Sequence, residues 1–97
     1  MDINITSVKF DADKKLIDFI NKKVAKLDKF FDGLMAVHVT LGLVPDHQNK
    51  KTSMRVEIPG HDIVVERHCE TFEESVSLCV DILKEQLIKA KEKMRKK

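Results

Sequence analysis

The 97 residues make one domain with a single small core, and no apolar run approaches the roughly 18 residues of a membrane helix. The first residues, Met1-Asp2-Ile3-Asn4-Ile5-Thr6, lack the basic and apolar regions of a signal peptide, so the expectation is a cytoplasmic protein with no membrane partner. The net charge of +2 hides an asymmetry: Lys and Arg against Asp and Glu give +1 over residues 1–33, −4 over 34–83 and +5 over 84–97, a basic pole that points to a polyanion rather than a small-molecule substrate.

Asp2 to Phe10 alternates weakly, with Ile3 and Ile5 on one face, and reads as a strand. Asp11-Ala12-Asp13 breaks it, and Asp13 is placed to cap a helix running to about Phe31. Leu16, Ile20, Val24, Leu27 and Phe31 recur in that helix at three- and four-residue steps, the spacing of a core stripe. Asp32-Gly33 ends the helix, with Gly33 free to adopt a left-handed conformation.

Met35 to Val44 is the clearest strand. Met35, Val37, Val39, Leu41 and Leu43 alternate with Ala36, His38, Thr40 and Gly42. A polar connection follows over residues 45–51. Thr52 to Ile58 alternates again, with Met54, Val56 and Ile58 on one face, and Pro59-Gly60 is a tight-turn signal. Asp62 to Cys69 supplies a fourth strand. Thr71-x-x-Glu74 is a capping box for a last helix whose core stripe is Phe72, Val76, Val80, Leu83, Leu87, Ala90 and Met94.

The expected fold class is therefore α+β: a single β-α-β-β-β-α domain over residues 1–97, with a four-stranded mixed sheet and two helices on one face. The first β-α-β unit is expected to pair its strands in parallel, and the later strands form an antiparallel meander.

Catalytic candidates are few. His38 falls opposite the core residues of its strand. A site made of His61, His68 and Cys69 is disfavoured, because adjacent strand residues point to opposite faces. The glycines are scattered, and neither a phosphate loop nor a GxSxG or HExxH motif occurs. Cys69 and Cys79 read as two reduced, semi-buried thiols. The expectation is a protein that is no enzyme and holds no metal or cofactor.

The basic residues say more. Lys15, Lys22, Lys26 and Lys29 lie opposite the core stripe of the first helix. On the last helix Asp81, Glu85 and Glu92 form the outermost line, flanked by Lys84, Lys91 and Arg95 on one side and by Lys89, Lys93 and Lys96 on the other. A solvated face is the plain reading of such a helix; concentration at one end favours phosphate contacts. With neither Trp nor Tyr, and with the five Phe placed for packing, no ring is positioned to stack on single-stranded bases. A bound nucleic acid would be held by its backbone and shape.

Read as a whole, the chain resembles the ribosome hibernation promoting factor family, which includes RaiA-type inhibitors and carries the older label sigma modulation protein. The residues that carry the likeness are Asp2-Ile3-Asn4-Ile5-Thr6, Lys22-Lys23-Val24-x-Lys26-Leu27 with Phe31-Asp32, Val37-His38-Val39, Ile58-Pro59-Gly60, and Gln86-Leu87-x-Lys89-x-Lys91-Glu92-Lys93-Met94-Arg95. The resemblance implies a fold related to double-stranded RNA-binding domains. It also implies docking on the small ribosomal subunit and its ribosomal RNA, in the channel used by mRNA and tRNA anticodon ends, as part of translation control in stationary phase and stress. Carried over by position, the RNA-binding residues would be Lys22, Lys23, Lys26, Lys29, Lys89, Lys91, Lys93 and Arg95; Lys84 joins them from the helix wheel. Glu73 and Ser77 stand where many members have Tyr and Asp. Ending at Lys97, the chain matches the short form, without a C-terminal dimerisation domain, and would be a monomer when free. Two other readings fit the residues: a generic duplex-RNA module, and a protein-interaction domain using Leu78 and Ile82.

Overall fold

The computed structural model describes residues 1–95. Its elements follow the order β1 Asp2–Ser7, α1 Lys14–Ala25, a 3-10 turn Lys26–Lys29, β2 Ala36–Leu43, β3 Lys50–Ile58, β4 His61–Cys69 and α2 Phe72–Arg95. The four strands form one sheet in the order β1-β2-β3-β4. β1 pairs with β2 in parallel, from Asp2 opposite Ala36 to Ser7 opposite Leu41. β2–β3 and β3–β4 are antiparallel. The mixed sheet and its meander match the sequence expectation.

Alternation decides which sheet face is covered. Val37, Val39 and Leu41 of β2 and Met54, Val56 and Ile58 of β3 are buried, with Ile3, Ile5, Ile63 and Val65 packed beside them. Both helices close this face: α1 contributes Leu16, Ile20 and Val24, and α2 contributes Phe72, Val76, Cys79, Val80, Leu83 and Leu87. Met35 and Leu43 share the parity of the β2 core residues yet are 58% and 53% exposed. Parity fixes the face a strand residue points to, and helix cover gives out at the two ends of the strand.

β3 begins at Lys50, inside the stretch read as a polar connection, and β2 and β4 shift by one residue; two boundaries differ from the sequence reading by three residues or more. β1 stops at Ser7, because Lys9 takes φ 66 and turns the chain toward the helix layer. There Phe10 stacks on Phe72 with ring centroids 5.0 Å apart. The α-helix from Asp13 ends at Ala25 and tightens into the 3-10 turn. Three residues per turn set Leu27 directly below Val24, and both are fully buried along with Ile20. Asp13 caps as expected: its carboxylate accepts the Leu16 N–H at 2.8 Å. Gly33 and Gly60 take φ +88 and +97, at the end of the helical segment and in the β3–β4 turn. At the start of α2 the Glu74 N–H donates to Thr71 Oγ1 at 3.1 Å, one half of the capping box.

A buried polar cluster ties α2 to β3. Ser75 Oγ donates to the Phe72 carbonyl at 3.1 Å, which uses its only proton. Thr52 Oγ1, 2.6 Å away, must therefore donate to Ser75. Cys79 Sγ donates to the Thr52 carbonyl at 3.5 Å. Thr52, Ser75 and Cys79 are all fully buried, and among the described residues no buried side-chain nitrogen or oxygen lacks a partner.

Candidate nucleic-acid interface

The two helices run in the same direction. The Phe10–Phe72 stack joins the segments that precede α1 and open α2. At the other end, Lys84 Nζ sits 5.1 Å from the ring centre of Phe30, just past the 3-10 turn, and Lys91 Nζ lies 4.0 Å from Asp32 Oδ2. Both C-terminal ends therefore lie at one end of the molecule, the end at which β1 and β2 begin. This is the negative end of both helix dipoles, where cations are favoured.

Charge follows that axis. Residues 21–32 and 84–95 together hold nine Lys/Arg and four Asp/Glu, whereas residues 9–15 and 70–74, about the opposite end, hold three Lys and five Asp/Glu. Last-turn cations that offset the dipoles are expected of any helix. On α2 the cations reach further back, to Lys84, than the single turn over which the dipole acts.

Of the residues named from sequence, Lys22, Lys26 and Lys29 are exposed on the outer side of α1 and its 3-10 turn. The eclipsing of i and i+3 in that turn sets Lys26 and Lys29 on one line. Lys23 is half-buried, its ammonium 5.6 Å from the Phe19 ring centre. Lys84 and Lys91 face the end of α1 through Phe30 and Asp32. These six form the part of the set that the fold brings together. Lys89 and Lys93 are exposed, but on the far side of the Glu85 and Glu92 line, away from α1. Arg95 closes α2 and its side chain lies outside the described residues, as do Met94's side chain and residues 96–97.

Sequence reading missed the two aromatic seats. A cation over a ring face is attracted by the ring's quadrupole, and Phe30 supplies this from one helical segment for a lysine on another. The signal for Phe19 was available, since Phe19 and Lys23 are four residues apart on one helix. No local spacing pairs Phe30 with Lys84. The Lys91–Asp32 pair is long, and Asp32 is 95% exposed, so it adds little and leaves Lys91 available.

On the open sheet face, His38 Nε2 is 2.7 Å from Glu57 Oε2 and its Nδ1 is 3.4 Å from Asn4. His68 hydrogen-bonds the Gln48 carbonyl through Nδ1 at 3.0 Å on the exposed face, while Cys69 is buried under the helices. Among the described residues no three His, Cys, Asp or Glu side chains converge as metal ligands, and no helix is long and apolar enough to cross a membrane.

The family described as Sigma 54 modulation protein / S30EA ribosomal protein matches residues 3–95. A ribosome hibernation promoting factor of Azotobacter vinelandii is 28% identical over 93 residues, 96% of this chain and 85% of the relative. Among solved structures, the Thermus thermophilus Protein Y N-terminal domain superposes with a TM-score of 0.81 at 24% identity, covering 92% of this chain and 98% of that one. A ribosomal subunit interface protein from Coxiella burnetii gives 0.81 at 22% identity, covering 94% and 98%. Both share the fold.

Proposed function

The chain belongs to the Sigma 54 modulation protein / S30EA ribosomal protein family, and on that premise we propose that it is a ribosome hibernation factor, a non-enzymatic silencer of translation. It docks the basic end of its helix pair on ribosomal RNA of the small subunit, in the decoding channel, and excludes mRNA and tRNA by occupying their place. The relative named a ribosome hibernation promoting factor supports the coarse role. The observation that carries the docking surface is the convergence of two helix C-termini, which gathers Lys22, Lys26 and Lys29 with Lys84 and Lys91 at one end.

The mechanism needs no bond chemistry. Several ammonium groups meet phosphates, counterions leave both partners, and affinity follows from their release. Lys23 and Lys84 arrive already seated on rings, so less side-chain freedom is lost on binding. Lys89, Lys93 and Arg95 extend the surface along α2.

The test compares two charge-matched double reversals on one helical segment. Lys26→Glu with Lys29→Glu changes the basic end; Lys14→Glu with Lys15→Glu changes exposed lysines at the opposite end of α1. The first variant should lose co-sedimentation with small subunits and the second should keep it, both remaining folded by circular dichroism. Equal binding by the two would remove the basic end as the docking surface. Binding to free duplex RNA with no preference for ribosomes would reduce the role to a generic RNA module.

A further inference from the structure

The sheet face away from the helices carries a cleft of about 440 Å³, within the range of small-molecule sites. Its floor is Gly42, in β2. A Cβ placed there meets nothing within 4 Å, so the cleft exists because this strand position has no side chain. The register puts Gly42 beside Lys51, and Thr40 beside Ser53 in the next outward row. Val8, anchored by its N–H to the Leu41 carbonyl at 2.9 Å, makes one wall. Val44, two residues beyond Gly42 and so on the same strand face, makes another; Val8 is 45% exposed and Val44 half-buried.

Two cations border this apolar floor. Lys51 is tied to Glu66 at 3.3 Å. Lys9 is exposed and makes no ion pair among the described residues. Its left-handed backbone, φ 66, is one that a non-glycine residue rarely holds, and it places Lys9 on the rim. The chemistry on offer is a flat floor without side chain, apolar flanks, hydroxyls at one edge, one free ammonium and one shared. We propose that this cleft binds a nucleoside monophosphate. The ring lies over Gly42 between Val8 and Val44, its polar edge meets Thr40 and Ser53, and the phosphate pairs with Lys9 beside Lys51. One free ammonium suits a monophosphate better than a triphosphate. The cleft lies on the sheet face opposite the helices and at the end away from their C-termini, so the proposal is independent of the RNA-docking surface.

The test titrates isotope-labelled protein with AMP and GMP, with adenosine and inorganic phosphate as controls, and follows backbone amide shifts. The expected result is saturation at Val8, Lys9 and Gly42 with a dissociation constant below about 1 mM for a monophosphate. Gly42→Val fills the floor at a strand position that favours a β-branched residue. It should weaken binding at least tenfold, as should Lys9→Gln, which leaves the floor intact. Ribosome co-sedimentation of both variants should equal that of the parent. No saturation by about 10 mM ligand, unchanged titration in the folded variants, or the same shifts with inorganic phosphate alone would each overturn the proposal. If Gly42→Val fails to fold, Lys9→Gln at an exposed position decides.

Discussion

At the scale of single residues, two hydroxyl side chains that hydropathy ranks well below the apolar core residues lock α2 onto the sheet. Thr52 and Ser75 are fully buried because each supplies what the other lacks, a donated proton running from Thr52 to Ser75 to the Phe72 carbonyl. Ser75→Ala should cost roughly 1–3 kcal/mol in urea unfolding, since Thr52 Oγ1 then has no acceptor in a dry site; a loss no larger than that of an exposed Ser→Ala would contradict the directed chain. Cys79 makes a pH-dependent contribution. Burial pushes its thiol from the ordinary 9.0 up to about 11, with Arg67 opposing the shift. A pKa raised on folding means that the unfolded chain releases the proton first. The stability from keeping Cys79 neutral is complete below pH 9 and is lost as pH rises toward 11, on the order of 1 kcal/mol per pH unit. The stability advantage of the parent over Cys79→Ala should therefore narrow from pH 8 to about pH 10.5. Parallel curves would show that the thiol stays hydrated.

At the scale of elements, the sequence was most readable where one period ran unbroken. The alternation of Val37, Val39 and Leu41, the Asp13 cap and the Thr71 cap all appear as read. Legibility failed where contacts far apart in the chain decide. The 3-10 turn at Lys26–Lys29 was invisible to a 100° wheel, which carries a single α-helix through to Phe31. Cys79 joins the α2 core because the Thr52 carbonyl receives it. The candidate site was legible as a list of lysines, but not in its division: Lys84 and Lys91 belong with the end of α1, while Lys89 and Lys93 face away. Beyond Ala90, which is half-buried, Lys91 is half-buried and Glu92 and Lys93 are exposed; among the described residues the last fully buried one of α2 is Leu87. Ending the chain after Ala90 should thus lower stability by only about 1–2 kcal/mol through fraying. On the proposed docking surface it should lower ribosome affinity far more, because Lys91, which faces the end of α1, is lost together with the cations that follow it. Thermal unfolding and co-sedimentation on the same truncated chain check both halves. A truncated chain that binds as the parent does would confine docking to α1 and Lys84.

At the scale of the whole molecule, the arrangement is an electrical dipole laid along a pair of parallel helices. Acidic residues gather about the Phe10–Phe72 end and basic residues at the end marked by Lys84 on Phe30, so the net charge of +2 understates what a docking partner meets. Salt dependence separates the two descriptions. If association answered only to the net charge, the slope of log affinity against log salt would be no steeper than about −2. If the basic end docks and about six phosphates are neutralised, the slope should reach about −4 to −5. Co-sedimentation with small subunits from 50 to 200 mM potassium chloride, at fixed magnesium, measures it. Removing cations at the basic end should flatten the slope by about one for each phosphate left without its ammonium. Lys14→Glu with Lys15→Glu changes the net charge by four yet should leave the slope unchanged. A slope that tracked net charge in both variants would mean that the molecule is drawn to the ribosome as a whole rather than by one end, and the division of the lysines into a docking surface would then carry no weight.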